Sequence, residues 1–375
     1  MTKIIQITPY YPPHLGGMEQ RIRDLSEKLA KKGNDIEIFT SDIGTEKGKL
    51  KSTKNLKINY LKSLEFAHTP IIPSLFWNLM RIPKDSIMHV HVAQALVPEI
   101  VWLVSKIRDI PYISHIRLDV HGSGFFRFLL KPYKKIFLKK VLNDSRKTIV
   151  LTEDYKKKMM DDYSLKEEKV TVIPNATNFP ITKIIKNPTK NKFNIISVGR
   201  LSKQKNIPLL INSIAKIKEA SRKKIILHLV GDGEERKEIK KTIDESGLNK
   251  QVILHGRLEG KNLERLYSKS DLFILVSDGE GFSTSLLEAM ASGVPIVASN
   301  VEGTKSVIKD NNTGLLVELR EEDISKKIEM MLANEALRRK LAINGIKEVK
   351  RYSWDKIINK TEEIYKEILN ENKHK

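Results

Sequence analysis

The stretch EGFSTSLLEAMASGVP, residues 280–295, follows an apolar run from Leu272 to Val276 that has the length and composition of a buried strand. Ser277, Asp278 and Gly279 make a turn, and Ser283 to Ser292 reads as a helix stopped by Gly293 and Pro295. A strand that feeds a helix through a glycine-containing turn leaves backbone N–H groups open at the helix start. Those groups and the helix dipole attract phosphate. Glu288 lies among Leu286, Leu287, Ala289 and Met290, where a carboxylate is costly unless something hydrogen-bonds it. A ribose diol would do so. Glu280 stands at the mouth of the turn, so a carboxylate flanks this phosphate cradle on either side. An ordinary strand–turn–helix unit with a solvated Glu280 and an ion-paired Glu288 shares the local pattern, and the rest of the chain has to decide.

Outward from this stretch, strands and helices alternate. Asn194–Val198 reads as a strand, and the loop after it, GRLSKQKN, carries Arg200 and Lys205 ahead of a helix at Ile207–Lys218. Two cations at the carboxyl end of a strand can neutralise a diphosphate, one as a fork and one as a point charge. Further strands follow at Ile225–Val230, Val252–His255, Ile296–Ser299 and Leu315–Glu318, with GDG at 231–233 and a helix opening at Glu302. The alternation predicts a doubly wound α/β fold. A closing helix, Trp354–Leu369, has no sheet left to cover in this half and is expected to cross back onto the first.

The N-terminal half repeats the scheme. Lys3–Thr8 is β-like, PYYPP turns the chain, Gly16 and Gly17 precede a helix at Met18–Ala30, and Asp35–Thr40 is the next strand. In such a βαβ unit the glycine pair lies where open α/β sheets bind ligands, although a plain tight turn would look the same. Ile87–Val92 carries His89 and His91 on one face. A metal would need a third ligand that is not legible in the sequence, so they are read as structural or substrate-contacting. His115 closes the strand Tyr112–Ile116 and opens a loop containing Asp119, His121, Gly122 and Gly124, a position suited to meeting substrate. Residues 125–147 interleave aromatic and aliphatic side chains with Arg127, Lys131, Lys134, Lys135, Lys139 and Lys140. That is the pattern of a helix lying on an anionic membrane, and equally of a core helix with a lysine-rich outer face. Residues 180–192 have the composition of a linker. The expected division is 1–180, 193–350, and a terminal helix within 351–375.

Composition narrows the classes. The 375 residues include no cysteine, which excludes disulfides, thiolate metal sites and cysteine nucleophiles. No apolar run reaches the ~20 residues of a membrane-spanning helix, and no secretory leader is visible at MTKIIQITPYYPP, so a cytoplasmic location is expected, peripheral to the inner membrane face if 125–147 docks there. The net charge of +21 leans to the first half: residues 1–190 hold 33 Lys and Arg against 19 Asp and Glu. An anionic partner is implied, whether membrane, nucleic acid or phosphorylated substrate. No nucleic-acid-binding motif is present, so nucleic acid is not expected.

With these residues in hand, the chain resembles the GT-B glycosyltransferases, specifically the retaining family 4. The resemblance rests on PYYPP with GGxE at 9–19, VGRLSKQK at 198–205, LVGDG at 229–233, EGFSTSLLEAMASGVP at 280–295 and TGLLV at 313–317. It implies two Rossmann-like domains facing across a cleft and transfer of a sugar, with retention, from a nucleotide-diphospho-sugar to a glycan or lipid-linked acceptor. By this resemblance Arg200 and Lys205 hold the diphosphate, the backbone of Gly281, Phe282, Ser283 and Thr284 binds phosphate and sugar, and Glu288 takes the ribose hydroxyls. Glu280 and His115 meet the donor sugar, and Gly16 and Gly17 face the diphosphate. No cofactor or divalent metal is implied, in keeping with the lack of an Asp-x-Asp motif. Ser283 stands where the family has glycine, and NATN at 175–178 replaces the usual Asn-Gly-Val-Asp, which puts the sugar's identity in doubt. An epimerase or phosphorylase of the same fold would share the phosphate site.

Overall fold

The computed structural model describes residues 3–14, 16–46, 48–66, 69–117, 130–182 and 192–373. Asp119, His121, Gly122, Gly124, most of the 180–192 linker and residues 125–129 therefore lie outside the described residues. The chain forms two compact units, Met1–Pro174 with Ile357–Lys375, and Asn175–Lys356.

The first unit contains β1 (Lys3–Ile7), β2 (Asp35–Ser41), β3 (Leu56–Leu61), a small hairpin of β4 (Leu64–Phe66) and β5 (Thr69–Ile71), then β6 (Ile87–Val92), β7 (Tyr112–Ile116), β8 (Lys147–Val150) and β9 (Val170–Val172). All but the hairpin join one seven-stranded sheet in the order β3-β2-β1-β6-β7-β8-β9, and every pairing in it is parallel. Parallel strands need crossover helices, which cover both faces; β6 and β7 are accordingly buried along their whole length. The helix Gly17–Lys31 presents Ile22, Leu25 and Leu29 to this core, the face its periodicity predicts. From Ile357 onward the helix Trp354–Lys373 belongs to this unit. It buries Ile357, Ile358, Ile364, Tyr365 and Ile368, and its Glu362 accepts hydrogen bonds from Lys32 and Asn34 at 3.0 and 2.8 Å.

The second unit contains β10 (Phe193–Val198), β11 (Ile225–Val230), β12 (Val252–Gly256), β13 (Leu272–Leu275), β14 (Ile296–Ser299) and β15 (Leu315–Val317). They form a six-stranded sheet in the order β12-β11-β10-β13-β14-β15, again parallel throughout. This is the doubly wound arrangement expected from the alternation. Its own core gathers Ile195, Leu210, Leu227, Leu272, Ile274 and Val297. In both sheets the strand order reverses beside the first strand, between β1 and β6 and between β10 and β13. Such switch points open a crevice at the carboxyl ends of the strands, where ligands bind.

Candidate active site

The loops that leave β10 and β13 flank the switch point of the second sheet, and they hold Arg200, Lys205, Glu280 and the residues that lead into the helix at Thr284. After β10 the chain passes through Gly199, Arg200 and Leu201 to a single tight turn at Lys203–Lys205. After β13 it passes through Ser277–Gly279 to Glu280 and the helix Thr284–Ala291. The two loops are tied together. The Asp278 amide donates to the Gln204 carbonyl at 2.9 Å, the Gln204 side chain donates to the Gly279 carbonyl at 2.5 Å, and Asn206 donates to the Asp278 carboxylate. At the centre, Lys205 Nζ lies 2.5 Å from Glu280 Oε1, with both side chains mostly sheltered from solvent. Arg200 projects from the same loop and is exposed.

Glycines set how closely this loop can be packed from behind. Gly231, at φ +134°, approaches so near that a Cβ there would lie 1.8 Å from the Gly199 carbonyl oxygen, and one on Gly233 would lie 2.3 Å from that of Leu201. Backbone hydrogen bonds from Gly199 to Val230, from Leu201 to Asp232 and from Glu235 to Leu201 complete the strap. Gly303 backs the second loop in the same way: a Cβ would fall 2.0 Å from the Glu280 carbonyl oxygen.

The helix Thr284–Ala291 opens without a side-chain cap on its leading N–H groups; Ser283 Oγ pairs with Ser285 Oγ at 2.9 Å. Open amides at a helix start beside a lysine and an arginine can hold a polyanion. Phe282 and Ser283 are buried, while Gly281 and Thr284 are partly accessible. One turn further on, Glu288 is half-buried and accepts a hydrogen bond from Tyr267 Oη at 3.1 Å. Tyr267 is fully buried, and desolvation, reinforced by the neighbouring carboxylate, raises its pKa well above the usual phenol value. It is therefore a fixed donor that holds Glu288.

In the first unit, Gly16 caps the helix Gly17–Lys31 with extended backbone. The Glu19 carboxylate folds back over it, 2.0 Å from where a Cβ would stand, and its other side pairs with His14 Nδ1 at 2.9 Å. His115 ends β7 and is buried. The parallel register places it directly beside His91, and its Nδ1 lies 3.1 Å from His89 Nε2. The three-histidine group thus has the third member that was not legible in sequence, and one nitrogen from each ring lies within 4.8 Å of the other two. Burial pushes all three imidazoles down, His89 to about 3, with the Arg117 guanidinium adding to the effect. They are neutral at pH 7.

Two family models account for most of the chain. "Glycosyltransferase Family 4" matches residues 15–179 and "Glycosyl transferases group 1" matches residues 179–348. The chain belongs to the group 1 glycosyltransferases. It is 26% identical to an uncharacterised glycosyltransferase of Methanocaldococcus jannaschii, over 97% of this chain and 98% of that protein. It is 24% identical to N-acetyl-alpha-D-glucosaminyl L-malate synthase of Bacillus anthracis, over 99% and 98% respectively. The crystal structure of Anabaena HepE in complex with UDP and glucose superposes with a TM-score of 0.77 at 17% identity, covering 98% of this chain and all of that one. That likeness confirms the GT-B fold class of two Rossmann-like sheets.

Within this glycosyltransferase the structure brings Lys205, Glu280, Gly281 and the start of the Thr284 helix together, with Arg200 on the same loop as Lys205. Gly16, Gly17 and His115 belong to the other unit. Two contributors went unrecognised in the sequence, and a third was marked there only as part of a departure from the family pattern. Tyr267 holds Glu288, and Gly303 backs the Glu280 turn. Asn175, from the divergent NATN segment, donates to the Phe282 carbonyl at 3.2 Å. All three act through tertiary contacts that no local pattern encodes.

Proposed function

We propose that this glycosyltransferase moves a sugar from a nucleotide-diphospho-sugar to an acceptor hydroxyl, with retention and without a divalent metal. The observation that carries the reading is the convergence of Lys205, Glu280 and an uncapped helix start at the switch point of the second sheet. Arg200 and Lys205 neutralise the diphosphate, the 281–284 backbone donates to phosphate and sugar, and Glu288, steadied by Tyr267, accepts from the ribose diol. Glu280 releases Lys205 to the phosphates and turns to the donor sugar. His115 contacts the same sugar, and Gly16 and Gly17 face the diphosphate.

As the bond between the anomeric carbon and the phosphate oxygen breaks, negative charge collects on the diphosphate, where fixed cations and amides stabilise it. The acceptor oxygen bonds to the anomeric carbon on the face the phosphate leaves, and its proton passes to the departing phosphate oxygen. The products are the glycoside and the nucleoside diphosphate, and no protein nucleophile is required.

The fold neighbour solved with UDP and glucose makes UDP-sugars the first donors to test, and the relative named N-acetyl-alpha-D-glucosaminyl L-malate synthase puts N-acetylglucosamine among the sugars to include. The acceptor we propose is a glycan or lipid-linked hydroxyl at an anionic membrane face, as in cell-surface polysaccharide or glycolipid synthesis. Ile136 and Phe137, on the helical stretch between Leu130 and Asp144, are 62% and 57% exposed. Lys135 and Lys140 are exposed beside them. Apolar side chains ringed by cations suit an anionic lipid surface. Among the described residues no helix is long and apolar enough to cross a membrane.

A thermal-shift screen against UDP-, GDP- and ADP-sugars tests the donor, since a bound ligand raises the unfolding midpoint by mass action. With the donor in hand, turnover in EDTA and the anomeric configuration of the product, read by NMR, test the remainder. Loss of turnover in EDTA or an inverted product would overturn the respective part.

A further inference from the structure

Five buried polar side chains of the first unit form one hydrogen-bonded chain that ends on His115. Gln6, His89, His91, His115 and Tyr365 are each no more than 3% exposed. His91 Nε2 lies 2.6 Å from Gln6 Oε1. Gln6 Nε2 donates to Tyr365 Oη at 3.4 Å. Tyr365 Oη lies 2.6 Å from His89 Nδ1, and His89 Nε2 lies 3.1 Å from His115 Nδ1. Among the described residues, the two remaining ring nitrogens, His91 Nδ1 and His115 Nε2, have no partner.

With the Gln6 amide oxygen toward His91 and its nitrogen toward Tyr365, the donor inventory gives one direction for this arrangement. A glutamine oxygen only accepts, so His91 donates from Nε2. The glutamine amide nitrogen only donates, so it takes a lone pair of Tyr365; the buried phenol hydrogen still needs an acceptor, and among the described residues His89 Nδ1 is the one in reach. A neutral histidine that accepts at Nδ1 carries its proton on Nε2. His89 therefore donates to His115 Nδ1, and His115 in turn carries its proton on Nε2. The phenol suits this role, because burial holds Tyr365 protonated. A cation bound among the three imidazoles would have to break the His89–His115 hydrogen bond and share the site with the Arg117 guanidinium that already acts on all three.

We infer that Tyr365, on the terminal helix, is a positioning residue that acts through His89 to lock His115 as a neutral Nε2–H hydrogen-bond donor. The consequence rests on the reading above that His115 meets the donor sugar: the sugar atom it faces must offer a lone pair, and His115 does not act there as a base. Residues from the two ends of the chain, Gln6 and Tyr365, thereby set the chemistry of a strand end in its middle.

The test is a two-bond proton–nitrogen correlation spectrum of the full chain labelled with nitrogen-15 at its nine histidines, with His115 assigned by the loss of its signals in His115→Ala. The expected result at pH 7.5 is a pyrrole-type Nε2 and a pyridine-type Nδ1 for His115. In Tyr365→Phe, which keeps the ring packed edge-on against His89, both His89 and His115 should shift toward the opposite tautomer. A wild-type His115 protonated on Nδ1, meaning that the chain runs in reverse, overturns the inference without any variant, and so does a Tyr365→Phe spectrum identical to wild type. In turnover assays Tyr365→Phe should lower kcat/KM about tenfold, the size of one lost hydrogen bond, and should add no further loss in the His115→Ala background. If His115→Ala retains wild-type turnover, the sugar contact fails while the spectrum still decides the tautomer.

Discussion

At the scale of single residues, the candidate site is a balance of charge. Lys205 is already paired with Glu280, whereas Arg200 is exposed on the same loop. A diphosphate would meet Arg200 first and then compete with Glu280 for Lys205. Arg200→Ala and Lys205→Ala should each lower kcat by about a hundredfold, as when one donor to a developing oxyanion is removed. Steady-state kinetics with the identified donor measures this, and near-wild-type turnover in either variant would remove that residue from the diphosphate site. The buried histidines make a residue-scale prediction about stability. His89, His91 and His115 stay neutral in the fold well below their ordinary pKa of 6.5. Below pH 6.5 the unfolded chain takes up protons that the native chain does not, so stability is full above that pH and falls as acid is added. Each histidine contributes a slope of roughly 1.4 kcal/mol per pH unit. The urea midpoint should therefore drop steadily between pH 6.5 and 4.5; a flat profile would mean that these imidazoles ionise inside the fold.

At the scale of elements, the site depends on glycines that let loops lie against one another. Gly231→Ala adds a Cβ at φ +134° that would lie 1.8 Å from the Gly199 carbonyl oxygen. The strap behind Arg200 must then shift, at a cost of about 2 kcal/mol in the stability of the second unit. Denaturant titration should show the loss, and donor-induced stabilisation should weaken with it because the cation loop moves. A variant with wild-type stability and donor binding would mean that the strap does not position the loop. The same scale shows where local reading stops. The helix at Thr284–Ala291 and strands β6, β7, β10 and β13 follow from apolar periodicity and turn residues within two residues of their observed ends. The partnership of His115 with His89 and His91 does not, because it depends on which strands become neighbours and in what register.

For the whole molecule, the net charge of +21 takes on a location. Part of the basic excess surrounds Ile136 and Phe137, two large apolar side chains left in solvent. The chain should float with vesicles containing phosphatidylserine and stay behind with neutral ones, and binding should fall steeply with added salt. Reversing Lys134, Lys135, Lys139 and Lys140 to glutamate should abolish flotation. Flotation undiminished by those changes would move the membrane contact elsewhere or dispose of it.

The sequence by itself determined the alternation of strands and helices, the doubly wound class, the glycine-containing turns and the cations at strand ends, because each is written in residues close together along the chain. Only the tertiary structure decided that Tyr267 holds Glu288, that Gly231 and Gly303 brace the site loops, and that Tyr365 reaches His89. Those contacts join residues far apart in sequence. What selects them is the burial of polar groups that must find partners once the sheets are covered, a requirement that exists only in the folded chain.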